Sequence, residues 1–590
     1  MLGRDIVNVT EETAMLIHPD ALRRWAALAA VVSVPALLAG CGGDDDDTTP
    51  TARPVPDAAS LRTACPTLTG RTVAAADIGL PSAPATVTAA AVVAATTGAA
   101  PTPEYCRVSG SIAATAAGAD PIVFQVNLPL TWNEKAVMVG GGGFNGSLVN
   151  SLAPLRDAPA GQPLPITQGY AMFGTDSGHD AAAYNATDPG RFALNDEMFV
   201  NFAHASYKKV KDVAHSLMGS YYLRKPAKQY YYGGSEGGRE GLMMAQRYPA
   251  DFDGIVSVVP VIYWTGLFNG FINFSKPQFT GGALSTAKIS AFAKAVNDTC
   301  DALDGAADGV VSNYLACASK MNLQSLRCVA GADTGPGCLS DPQLATLQAT
   351  YGPTVLPFAV ANGSTTYPGR LFGGEIQLGG EGLGRWISTG VVPTVPTPLA
   401  TDARGVIYGS SYARYVIARD ANFDVRTFNP SAFEARIKAV SELMDASNPN
   451  LAAFRARGGK LIIRENTGDM AQSPMAGINY VQNVVSTMGQ ANVDSFLRLY
   501  VSPASSHGGT AASLTTGAEV PTTYDLLGAL DGWVTSGQPP ADALVQVRNA
   551  TTAPFTTLAS RPMCRYPNYP QYVSGDASKA ESYRCAVSAP

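Results

Sequence analysis

The chain has 590 residues, a net charge of −6 and 15% charged residues, against about 25% in an average soluble domain. That balance excludes a basic nucleic-acid footprint. Gly 59 and Pro 41, without a Gly-X-Y period, exclude collagen and describe a loop-rich globular chain.

The first segment reads as an address. Arg23 and Arg24 precede an apolar run from Trp25 to Ala39, which closes on Leu38-Ala39-Gly40-Cys41. A basic start, a short apolar stretch and small residues at the cut are the parts of a secretory signal, and a cysteine at the cut resembles a bacterial lipoprotein box. The run is shorter than the roughly 20 residues of a membrane span. Residues 1–41 are therefore expected to be a signal with lipidation at Cys41, the only membrane attachment expected, and Met15 is an alternative start. Gly42-Gly43 and four aspartates follow, and 42–64 reads as a solvated tether. Export, to the outer membrane or periplasm of a Gram-negative bacterium, is the expected destination. The eight cysteines after Cys41 fit that compartment and suggest up to four disulfides of undetermined pairing.

Beyond an Ala/Thr-rich stretch expected to supply surface strands and loops, buried strands are predicted at 122–128, 136–139, 170–173, 229–234 and 255–259. Helices are predicted at 197–218 and 237–248. The alternation argues an α/β sheet core. Residues from roughly 265 to 440 lack this pattern, and it resumes with strands at 461–464 and 496–501. The expected organisation is a core of 65–264 and 441–590 interrupted by an insertion at 265–440.

The sharpest local signal is Gly233-x-Ser235-x-Gly237 between a predicted strand and a helix. This is the nucleophile-elbow pattern of an α/β-hydrolase, in which a tight turn lifts the serine hydroxyl into the open. The N–H of Glu236 can then face a developing oxyanion. In this fold the base follows the serine and the acid lies between them. Of five histidines only His507 follows Ser235, so His507 is the candidate base. Asp469, in the loop after the 461–464 strand, is the favoured acid, with Glu465 as its competitor. A second oxyanion donor is expected from the loop Gly140 to Gly146, at Gly142 or Gly143. That loop lacks the Lys-Ser/Thr of a phosphate cradle.

Asp301, Asp304 and Asp308 stand in a glycine-containing turn that can wrap a hard, oxygen-liganded ion such as calcium, with backbone carbonyls completing the shell. The closing glutamate of an EF-hand is missing, and a plain polar turn is the other reading. Tyr263, Trp264, Phe268, Phe271 and Phe274 form an aromatic cluster at the start of the insertion, readable as core or as pocket wall.

Taken together these stretches resemble the tannase and feruloyl esterase family, which includes bacterial hydrolases of terephthalate monoesters. The matching pieces include Gly140–Gly146, Thr175-Asp176-Ser177-Gly178-His179, Gly234 to Glu240, the Asp301–Asp308 turn, Asp445 to Phe454 and Arg561-Pro562-Met563-Cys564. The resemblance implies an α/β-hydrolase core with a large lid inserted between nucleophile and acid. It implies a triad of Ser235, Asp469 and His507, and a structural calcium in the lid held by Asp301, Asp304, Asp308 and the carbonyls of Ala306 and Val310. It also implies hydrolysis of small aromatic-acid esters of feruloyl, galloyl or terephthalate-monoester type. An exported esterase for non-aromatic or polymeric esters and a non-catalytic polymer-binding lipoprotein are the alternatives. Two departures stand out. The resemblance implies a disulfide between the residue before the serine and the residue after the histidine, but Gly234 and Gly508 are there. Arg464-Glu465-Asn466 replaces an expected Tyr-His-Gly.

Overall fold

The computed structural model describes residues 54–98 and 100–588. The leader, Cys41 and the acidic run lie outside these residues. The tether expected to reach residue 64 ends sooner. Ala58–Ala64 is a helix capped by the Asp57 side chain, with Leu61 fully buried and Cys65 bonded to Cys106.

Twelve strands form one sheet. In chain order they are β1 Thr72–Val73, β2 Ala85–Val93, β3 Tyr105–Ile112, β4 Ile122–Pro129, β5 Lys135–Val139 and β6 Ala171–Thr175. They continue as β7 Lys228–Gly234, β8 Gly254–Val258, β9 Lys460–Asn466, β10 Leu497–Ser502, β11 Ala543–Asn549 and β12 Thr557–Arg565. The spatial order is β1-β2-β3-β4-β6-β5-β7-β8-β9-β10-β12-β11. The six central strands, β6 to β10, run parallel, and the flanking pairs are antiparallel. Every strand predicted from hydrophobic runs is present within a residue or two. The Ala/Thr-rich stretch supplies β2 and β3, integral to the sheet and not merely peripheral, because small alternating side chains can pave an edge. β11, β12 and the helix Leu526–Ser536 carried no strong run and were not foreseen.

Period-two alternation divides the core. Tyr230 and Tyr232 of β7, with Val256 and Ile462, pack on one face beneath Leu526, Leu530 and Trp533. Tyr231, Ile255, Leu461 and Ile463 face the other side, against Val210 and Leu217 of the helix Ser206–Tyr221 and Leu242 of Glu236–Arg247. The 197–218 prediction is met by Asp196–Val200, a π-turn at Asn201–Ala205 and Ser206–Tyr221.

β8 and β9 are direct neighbours, so residues 259–459 leave the sheet and return to it. They add no strand to it, only a short pairing of Thr354–Val355 with Thr366–Tyr367. The helix Trp264–Pro277 buries Trp264, Phe268 and Phe271 in the same apolar cluster as Leu242, so this excursion shares the core of that face. Chain order reverses between β5 and β7. In open α/β sheets the ligand crevice lies at the carboxyl ends of the strands beside such a switch.

Candidate active site

Ser235 follows β7 directly and has φ 61° and ψ −123°, a strained conformation for a residue with a side chain. Neighbours hold it there. Its N–H donates to the Val258 carbonyl at 2.9 Å, and its carbonyl accepts from Val261 N–H at 3.2 Å. Gly233 is required because a Cβ there would stand 2.3 Å from the Gly237 carbonyl oxygen, where strand and helix meet. The helix Glu236–Arg247 starts at the next residue.

His507 lies after β10 and Asp469 after β9. The Ser235 hydroxyl is 2.9 Å from His507 Nε2, and His507 Nδ1 is 2.6 Å from Asp469 Oδ2. Asp469 is fully buried, and its Oδ1 accepts the N–H groups of Ala471 at 2.7 Å and Gln472 at 3.0 Å. The structure therefore brings together the three residues singled out from chain order. Glu465 is elsewhere. It is fully buried on β9, both carboxyl oxygens lack a hydrogen-bond partner, and burial pushes its pKa well above the usual carboxyl value, with the Asp469 charge adding to the rise.

The loop after β5 approaches the serine. Gly143, at φ +62°, lines the pocket with Ser235 and Glu236, whereas Gly142 is not part of the wall. Of the two expected glycines, the geometry favours Gly143. Two buried devices hold this loop. Glu240 accepts from Tyr207 O–H and Tyr231 O–H, each at 2.6 Å, from Asn145 Nδ2 at 2.7 Å and from Gly141 N–H at 3.2 Å. His179 Nε2 donates to the Phe144 carbonyl at 2.8 Å and stacks on Phe192. Burial lowers the His179 pKa to about 4, so its imidazole is neutral.

The pocket over Ser235 is narrow, with a cavity volume of about 30 Å³. Its wall includes Trp264, Phe268, Phe271, Trp386 and Tyr408, and no lysine or arginine. Three of the five insertion aromatics are thus pocket wall. Phe274 is core, and Tyr263 lines a separate polar groove. Burial pushes the carboxyl of Glu236, another pocket-lining residue, up to about 7, against the pull of Arg239 2.7 Å away.

Residues 106–586 match the sequence model described as Tannase and feruloyl esterase. The chain belongs to the tannase and feruloyl esterase family. An uncharacterised esterase of Agrobacterium fabrum is 34% identical over 79% of this chain and 83% of its own length. The mono(2-hydroxyethyl) terephthalate hydrolase of Piscinibacter sakaiensis is 29% identical over 79% of this chain and 81% of its own. The crystal structure of feruloyl esterase B from Aspergillus oryzae superposes with a TM-score of 0.69 at 23% identity, covering 89% of this chain and all of that one. This tannase-family protein is a carboxylic ester hydrolase with an α/β-hydrolase-type fold.

The eight cysteines after Cys41 pair as Cys65–Cys106, Cys300–Cys317, Cys328–Cys338 and Cys564–Cys585. Of the two positions without the implied cysteines, Gly234 is crowded by a side chain from elsewhere, whereas a Cβ on Gly508 would meet nothing closer than Ser506 Oγ at 3.7 Å. A Cβ on Gly234 would meet Arg156 Cδ at 2.4 Å, and one on Gly509, beside Gly508, would meet Asp157 Oδ1 at 2.1 Å.

In the acidic turn, Asp301 Oδ1 accepts the N–H groups of Asp308, Gly309 and Val310. Asp304 is buried with Oδ2 unpartnered, and burial pushes its pKa up to about 6. Asp308 is paired with Arg561. Among the described residues no three His, Cys, Asp or Glu side chains converge closely enough to hold a metal ion. The orphaned Asp304 oxygen is what a hard cation would answer, while Asp301 Oδ1 is spent on three backbone N–H groups and Arg561 occupies Asp308.

Sequence reasoning missed Glu240 and Arg464 as members of the site's support. Glu240 had a signal, since Glu236 and Glu240 are four apart on one helical face, one turn behind the serine. Arg464 had one too, as a charge inside a strand whose other positions are buried.

Proposed function

We propose that the protein is a serine esterase with Ser235 as nucleophile, His507 as base and Asp469 as orienter. The observation that carries this reading is the unbroken hydrogen-bonded line from Ser235 Oγ through both ring nitrogens of His507 to Asp469. His507 Nε2 takes the Ser235 proton as Oγ attacks the ester carbonyl. The N–H of Glu236, which as a first-turn amide has no partner within its helix, and that of Gly143 face the oxyanion. His507 then delivers the proton to the leaving alkoxide, giving the alcohol and an acyl-serine. Water, deprotonated by His507, attacks the acyl carbon, and Ser235 regains its proton as the acid leaves. Asp469 fixes the tautomer and stabilises the imidazolium.

The pocket favours a neutral aromatic acyl group, of the hydroxycinnamoyl kind, over a terephthalate monoester. Aromatic walls suit a flat ring. A carboxylate on that ring would be desolvated with no cation in the wall and with Glu236 nearby. Methyl ferulate, methyl gallate and mono(2-hydroxyethyl) terephthalate should be compared with purified enzyme. The expected result is a kcat/KM at least about 10-fold higher for the feruloyl ester than for the carboxylate-bearing one. Equal or reversed values end the substrate assignment. A fluorophosphonate probe that labels the wild type but not Ser235→Ala supports the serine mechanism, and an unlabelled wild type leaves the non-catalytic polymer-binding reading.

Calcium in the Asp301–Asp308 turn, held by Asp301, Asp304 and Asp308 with the carbonyls of Ala306 and Val310, is proposed as a structural ion outside the chemistry. Export with lipidation at Cys41 is likewise proposed from the leader. Four disulfides support an oxidising compartment. Among the described residues no helix is long and apolar enough to cross a membrane.

A further inference from the structure

We propose that Arg464 is a positioning residue that couples the serine turn to the His507 loop, acting through Asn466 and clamped from behind by Asp157. The inference rests on the triad reading above.

A central parallel strand is buried on both faces and takes apolar side chains. β9 obeys this through Leu461, Ile462 and Ile463 and then breaks it with Arg464, whose side chain is fully buried. A buried guanidinium is strongly destabilising unless its donors are met. Here Nε and Nη2 are spent in hydrogen bonds on the site's scaffold, while Nη1 makes an ion pair without a hydrogen bond. Nε donates to Asn466 Oδ1 at 3.0 Å, Nη2 donates to Ser502 Oγ at 3.3 Å, and Nη1 lies 3.2 Å from Asp157 Oδ2. Asn466 Nδ2 in turn donates to the carbonyl of Ser506 at 2.8 Å, the peptide that leads into His507.

The backbone of the same residue reaches the other half of the dyad. The Arg464 carbonyl accepts from Val259 N–H at 2.7 Å. Val259 sits at φ +40°, a conformation a β-branched residue holds only under external constraint, and the preceding carbonyl, of Val258, accepts from Ser235 N–H. One residue therefore holds the nucleophile's turn with its main chain and the base's loop with its side chain.

The Arg156-Asp157 segment is wedged between the two loops from outside. Asp157 has only 2% of its side chain exposed, and its Oδ1 occupies the space of a Cβ on Gly509. Arg156 Cδ occupies that of a Cβ on Gly234. Glycine at these positions is what lets the wedge in. The Tyr232 hydroxyl donates to the Arg156 carbonyl at 2.6 Å and pins the segment to β7.

The test is a double-mutant cycle of Asn466→Ala and Asp157→Asn, with Arg464→Lys alongside. kcat, KM and Tm are measured on a neutral aryl ester. Each single variant is expected to lose about 10- to 100-fold in kcat, as a sub-ångström misplacement of the base would cause, with KM within about twofold. The double variant should be no slower than the worse single one, because both act through one relay. Arg464→Lys keeps a charge opposite Asp157 but cannot hold Asn466 and Ser502 together, so it should lose kcat with its Tm within a few degrees. Wild-type kcat in folded Asn466→Ala, or losses that multiply in the double variant, overturns the proposal. Should Asp157→Asn fail to fold, Asn466→Ala and Arg464→Lys decide it. Undiminished activity in Ser235→Ala would instead remove the triad reading itself, so the two failures are told apart.

Discussion

Asp469 Oδ2 stands 2.6 Å from His507 Nδ1, while Glu465, four residues earlier on the same segment, has no hydrogen-bond partner. Two acids compete in sequence for one imidazole, and the loop after β9 brings Asp469 against it. Asp469 lies beyond the strand end, where its other oxygen is held by two backbone N–H groups. Glu465 is still inside the strand, against the helix Pro474–Met488 at Gly477, where a Cβ would meet its Oε1 at 2.0 Å.

Ser235→Ala is expected to lower kcat on an aryl ester by on the order of 10³-fold or more, because base and orienter have nothing left to activate. Steady-state hydrolysis by the purified variant checks this, and undiminished turnover would sink the mechanism.

Glu465→Gln is expected to alter the pH dependence of stability. The folded pKa of Glu465 is raised above the unfolded value, so the folded state holds the proton more tightly. Its contribution is fully present below the unfolded carboxyl pKa of about 4.3 and is lost as pH rises through the higher folded value. The amide stays neutral, so the variant's Tm should fall less than the wild type's as pH rises above the unfolded carboxyl value. Parallel Tm curves above that value would refute the neutral Glu465.

Glu240→Ala should damage the oxyanion loop from behind. It leaves the buried hydroxyl donors of Tyr207 and Tyr231 and the half-buried Gly141 N–H unpaired, while Asn145 keeps its bond to the Tyr207 hydroxyl. A loss of about 10- to 100-fold in kcat is expected, together with a lower Tm, since each unpaired donor costs about 1–3 kcal/mol. Kinetics and thermal melts on the same preparation test it, and an unchanged kcat would show that this loop takes no part in the chemistry.

Chelation should lower the Tm, and added calcium, but not magnesium, should restore it if the acidic turn holds its ion. Asp304→Asn should erase the response without altering kcat of the folded enzyme. Differential scanning fluorimetry reads both, and a wild type indifferent to chelator rules the ion out.

The α/β pattern, the serine turn and the histidine are legible in the chain alone. Hydrophobic runs, glycine spacing and the order of residues along a chain are local or countable properties. The sequence also marked Arg464-Glu465-Asn466 as unusual. What those residues touch emerges only in the folded molecule. The contacts of Arg464 come from residues 157, 259, 466 and 502, and those of Glu240 from the loop after β5, the helix Ser206–Tyr221 and β7. Whether a buried charge is a liability or a tether depends on which donors and acceptors the fold places around it. No window of sequence contains that information, because burial raises the strength of each such contact only once distant segments have closed over it.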